Sequence, residues 1–135
     1  MSDGTFTLKV FSGRGLEVDA QVRSVNVPSE TGELGFLANH CDYVGLISTG
    51  LVEYVAEGSS GITKCVVSGG LCTFADNVLT LLADSVDLPG AEPVVENVEL
   101  LRTQLETLSL FDPEWEVISH RIARVEAQKS LATTR

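Results

Sequence analysis

With 135 residues, 44% of them hydrophobic and 21% charged, the chain can bury one core and is not composed like a disordered segment. Its net charge of −10 opposes phosphate backbones and anionic lipid, which predicts no nucleic-acid partner and no direct lipid insertion. No apolar run approaches the ~18 residues that a membrane-spanning helix needs.

The charge is uneven. Residues 1–88 hold four basic and eleven acidic side chains, net −7, whereas from Ser119 onward Arg121, Arg124, Lys129 and Arg135 face only Glu126, net +3. Asp3, Gly4 and Thr5 interrupt the stretch where a secretory signal would need an unbroken apolar run, so a soluble chain is expected. Three cysteines, Cys41, Cys65 and Cys72, do not make a disulfide framework and suit a reducing compartment.

Short strands divided by glycine turns are expected over the first 88 residues. Thr5–Phe11 places Phe6, Leu8 and Val10 on one face, and Gly13-Arg14-Gly15 is a turn. Leu16–Arg23 then alternates, with Leu16, Val18, Ala20 and Val22 facing inward. Pro28 ends a strand or lies at an edge, and residues 28–32 form a turn. Glu33–His40, Val44–Ile47 and Leu51–Ala56 follow as strand segments, and residues 57–61 form a hairpin loop. Ile62–Ser68 is a strand that Gly69-Gly70 should break; Leu71–Phe74 and Val78–Ala83 flank the hairpin signal Asp76-Asn77. The count is eight to ten strands.

Pro89, Gly90 and Pro93 mark a linker, after which the spacing turns helical. Val98, Leu101, Leu105 and Leu108 make one apolar seam, and Trp115, Ile118, Ile122 and Val125 make a second. Asp112-Pro113-Glu114 between them suits a helix start. The expected organisation is a β-sandwich domain over 1–88, then a linker and an antiparallel two-helix hairpin over 89–135, with helices at about 96–110 and 113–131.

Catalytic chemistry has no visible support. His40 and His120 are the only histidines, no Cys-x-x-Cys occurs, and no phosphate-cradling glycine loop leads into Lys-Ser/Thr. His40 and Cys41 are chain neighbours, which point apart on an extended backbone, so a nucleophile–base pair is not expected there. Neither a metal nor a cofactor is implied.

Residues 25–40, VNVPSETGELGFLANH, resemble a stretch of the small rotor-stalk subunit of F-type ATP synthases, called epsilon in bacteria and chloroplasts and delta in mitochondria. Thr49-Gly50-Leu51-Val52, Val67-Ser68-Gly69-Gly70 and Asn77–Asp84 (NVLTLLAD) resemble further blocks of that family in the same order. The resemblance covers residues 25–84 and implies a roughly ten-stranded sandwich followed by two helices.

It also implies a non-catalytic subunit that couples proton-driven rotation of a membrane ring to ATP synthesis in the catalytic head. Its partners would be the gamma subunit and the ring, through a loop carrying Glu33, Leu34, Phe36, Leu37 and His40. The hairpin would reach alpha or beta subunits through Arg121, Arg124 and Lys129 and restrain ATP hydrolysis. Some bacterial members bind ATP through I/L-D-x-x-R-A. Here Val98-Glu99-Leu100-Leu101-Arg102-Thr103 departs at three of the four defined positions, so weak or no binding through Glu99 and Arg102 is expected.

The start Met1-Ser2-Asp3 favours a bacterial chain on the cytoplasmic face of the inner membrane, while Leu37-Ala38-Asn39-His40 is similar to mitochondrial members on the matrix side. The residues taken without the resemblance leave open an unrelated β-sandwich interaction module with a helical docking or dimerisation tail, and a small enzyme or ligand-binding barrel.

Overall fold

A computed structural model of the protein describes residues 4–89 and 98–132. Apolar alternation builds the first hairpin: β1 (Phe6–Ser12) runs antiparallel to the first half of β2 (Gly15–Ser29). Phe6, Leu8 and Val10 are buried as expected, but the inward phase of β2 is broken twice. A bulge sets Phe11 opposite Leu16 although Val10 faces Val18, so Leu16 turns outward and is 50% exposed, contrary to the alternation read from the sequence. A second irregularity near Arg23 moves the buried positions from Val18 and Val22 to Val25 and Val27.

The remaining strands are β3 (Gly32–Leu37), β4 (Tyr43–Ile47), β5 (Gly50–Ala56), β6 (Thr63–Ala75) and β7 (Val78–Asp87). They hydrogen-bond in the order β1-β7-β6-β5-β2-β3, with β4 on β6, and the added β1–β2 pairing closes the sheet on itself. β1 and β7 pair in parallel. The two layers enclose one core whose largest fully buried side chains are Phe6, Phe36 and Phe74.

The described chain therefore has seven strands, not about ten. The difference lies in the long strands β2 and β6, each of which serves two neighbouring pairings in succession. β6 pairs with β5 through residues 63–67 and with β4 through 70–74, and it passes straight through Gly69-Gly70. Those glycines bend the strand instead of ending it: both have positive φ, 60° and 146°, and a side chain on Gly70 would run into the Leu82 carbonyl. The Asp76-Asn77 signal does form the β6–β7 hairpin, with both residues at positive φ as a type I′ turn requires. Asn77 also ties loops together: its amide donates to the Thr5 carbonyl (3.0 Å) and its side-chain oxygen accepts from Asn39 N (2.7 Å).

Two helices follow, α1 (Val98–Glu106) and α2 (Pro113–Ala132). α1 is shorter than the expected 96–110, because the chain leaves the helix at Thr107 for a turn; residues 96 and 97, like Gly90, Pro93 and Arg135, lie outside the described residues. Both seams are at least partly buried, with Leu101, Ile122 and Val125 fully so. α1 packs on α2, and α2 lies across β5 and β6.

Candidate functional site

The loop residues singled out in the sequence separate into two sets. β3 pairs with the end of β2, so alternate side chains of Glu33–Leu37 face opposite ways. Phe36 is a core residue, 2% exposed, stacked on Phe74 (centroids 5.8 Å) and edge-on to Tyr43 (5.8 Å). His40 covers these rings, 4.9 Å from Phe36 and 5.4 Å from Phe74, and its Nδ1–H donates to the Cys41 carbonyl (2.7 Å). Leu34 is partly buried against the same core. Glu33 and Leu37 are exposed. An aspartate at position 36 would thus disrupt the core and report nothing about a surface contact.

A larger apolar feature lies on the outside of the sandwich and went unnoticed in the sequence. Leu46 of β4 pairs with Leu71 of β6, Leu71 with Leu82 of β7, Leu82 with Phe11 of β1, and Phe11 with Leu16 of β2. Directly paired residues share a face, so five apolar side chains from five strands form one continuous outward row. Leu46 is 65% exposed and Leu82 47%; Leu71 and Phe11 are half-buried. The row ends in a groove of about 390 Å³ where Glu30, Glu116 and His120 adjoin Leu46, Leu71 and Leu82.

α2 is held to the sandwich by specific polar contacts. Arg124 Nε and Nη2 donate to Asp87 Oδ2 and Oδ1 at 2.9 and 2.8 Å, a two-pronged pair to a side chain only 9% exposed. Thr49 Oγ1 and His120 Nδ1 lie 2.7 Å apart. Between these anchors is a cavity of about 350 Å³ that Ser68, Asp84, Ser85 and Arg121 also line. Of the expected basic contacts, Arg124 is therefore turned inward, whereas Arg121 and Lys129 are exposed.

The suggested nucleotide positions are differently engaged. Arg102 on α1 forms an ion pair with Glu126 on α2, and Glu99 is exposed with its carbonyl accepting from Thr103 Oγ1 (3.0 Å). Among the described residues no group of three or more His, Cys, Asp or Glu side chains is placed to hold a metal ion. Cys65 and Cys72 are buried and Cys41 is exposed. Burial, reinforced by the nearby Asp87 charge, pushes the Cys65 thiol up to about 12, and burial also raises Cys72, partly offset by a Gly45 backbone hydrogen bond. Such thiols are poor nucleophiles.

Residues 5–89 match the family model described as ATP synthase, Delta/Epsilon chain, beta-sandwich domain. The chain belongs to the ATP synthase delta/epsilon family. Similarity extends past the sandwich: an ATP synthase epsilon chain of Desulfitobacterium hafniense is 32% identical over 133 residues, covering 94% of this chain and 98% of that one. Another, from Syntrophomonas wolfei, is 26% identical over 136 residues, covering 100% and 96%. The fold is shared with a chain in the cryo-EM structure of Euglena gracilis mitochondrial ATP synthase, OSCP/F1/c-ring, at a TM-score of 0.66 and 21% identity, over 96% of this chain and 82% of that one. A chain in the central stalk/c-ring structure of Tetrahymena thermophila mitochondrial ATP synthase gives 0.56 at 11% identity, over 94% and 96%.

As a delta/epsilon chain the protein is a non-catalytic stalk subunit of F-type ATP synthase, peripheral to the membrane complex. No described helix is long and apolar enough to cross a membrane.

Proposed function

We propose that this subunit transmits rotation by two surfaces of its sandwich: the outward apolar row, seated on the gamma subunit, and the exposed edge at Glu33 and Leu37, turned to the membrane ring. The row carries the proposal. An apolar stripe five strands wide is costly to leave in water, and burying each Leu or Phe is worth about 1.5–3 kcal/mol before the costs of association. Leu34, Phe36 and His40 serve the ring contact from behind by holding β3 in place. The chain would divide at residue 88 into a coupling sandwich and a hairpin spanning 89–135. An antiparallel course for that hairpin is supported by the pairing of Arg102, at the middle of α1, with Glu126, in the second half of α2. Full-length similarity to bacterial epsilon chains favours the cytoplasmic face of a bacterial inner membrane.

The row is tested by Leu82→Asp, a half-exposed position where the fold should survive. Binding of the variant to purified gamma should weaken roughly tenfold or more, as truncation of a central interface residue does, with the melting curve unchanged. Undiminished binding by a folded variant would remove the row from the interface.

A second reading concerns regulation. Arg124–Asp87 and Thr49–His120 tie α2 to the sandwich by polar contacts, which suits a hairpin that exchanges this seat for one on the catalytic head. Arg121 and Lys129 would then meet alpha or beta subunits, and Arg124 would become available on release from Asp87. Nucleotide binding through Glu99 and Arg102 is disfavoured, because a phosphate would have to displace Glu126 from Arg102.

A further inference from the structure

The turn joining α1 and α2 presents Leu110 and Phe111 at 70% and 95% exposure, two adjacent large apolar side chains turned to water. Adjoining exposed apolar side chains are a common mark of an interaction site. Here the turn that carries the ring is closed by hydrogen bonds. Asp112 N donates to the Ser109 carbonyl (2.9 Å), the Asp112 carboxylate accepts from Ser109 N (2.9 Å), and Phe111 N donates to Ser109 Oγ (3.2 Å). Trp115 N then bonds the Asp112 carbonyl (3.0 Å), joining this turn to the first turn of α2. The Asp112 carboxylate closes the turn on itself, and that closure sets the backbone from which Phe111 projects.

The charge around the tip gives the partner's chemistry. Glu106, Asp112 and Glu114 flank it along the chain, α1 has no basic residue in its last turn, and all three acids are exposed. We propose that the α1–α2 turn is an anchor, in which Phe111 and Leu110 enter an apolar cleft rimmed by Lys or Arg on another subunit of the synthase. The anchor is separate from the apolar row of the sandwich and from the basic residues of α2, and it rests on the stalk-subunit reading only for the identity of the assembly.

A photo-crosslinking residue at position 111, in the full chain within the assembled synthase, tests this. The expected result is crosslinking to one peptide of another subunit that contains apolar residues and Lys or Arg. Glu106→Lys or raised salt should reduce the yield. Phe111→Ser, in a second experiment, should lower the apparent affinity of the chain for synthase lacking it by roughly tenfold, with unchanged melting because the ring is already in solvent. Crosslinks confined to the chain itself, or to lipid, or an unchanged affinity for Phe111→Ser, would overturn the anchor while leaving the stalk reading intact. A chain that fails to join the assembly at all would overturn both.

Discussion

Single side chains show how burial chooses their roles. His40 and Cys41 are adjacent in sequence, yet His40 covers the Phe36–Phe74 stack and Cys41 is exposed. Cys65 illustrates the thermodynamic side of burial. Its thiol moves from an ordinary 9.0 to about 12, so the folded chain keeps a proton that the unfolded chain releases. The stability associated with that proton is fully present below about pH 9 and is lost as pH rises toward 12, at up to about 1.4 kcal/mol per pH unit. Tyr54 and Cys72 shift in the same direction, both through burial first, and add to the same loss. Urea midpoints measured between pH 8 and 11 should therefore fall, and fall less steeply for Cys65→Ala; equal slopes in the two proteins would show that Cys65 does not contribute.

At the scale of elements, the seat of α2 combines its buried seam with one ion pair to the sandwich. Asp87 is buried at the end of β7, so removing its partner leaves a charge without compensation. Arg124→Met should weaken the docking of α2 by about 3–5 kcal/mol, and replacing both residues, Asp87→Leu with Arg124→Met, should restore much of it. Amide exchange distinguishes this from general unfolding: α2 should exchange faster in the single variant while the centres of β6 and β7 stay protected. Uniform loss of protection would mean that the hairpin and sandwich unfold as one unit. The helices themselves were legible from their 3.5-residue seams. The strand count was not, because Gly69 and Gly70 serve equally well as a turn or as a bend within one strand, and only the β4 and β5 pairings on either side of them decide between the two.

For the whole molecule, the question is whether the docked hairpin restrains the motor. Truncation after Asp87 in the assembled synthase should raise ATP hydrolysis with coupling retained if the hairpin acts on the catalytic head, and raised salt should mimic part of that effect by screening Arg121 and Lys129. Hydrolysis unchanged at every salt concentration would leave the hairpin a structural role only. A β-sandwich followed by two helices, and the family, were readable in the sequence, because apolar period and glycine placement are local properties and the motif around residues 25–40 is contiguous. The outward row, the burial of Phe36 and the pairing of Arg124 with Asp87 were decided only by the tertiary structure. Leu16, Leu46, Leu71, Leu82 and Phe11 come from five strands, and two bulges shift the phase of β2 along its length. Which residues share a face is therefore a matter of register between strands, and the bulges that shift that register show only once the strands are paired.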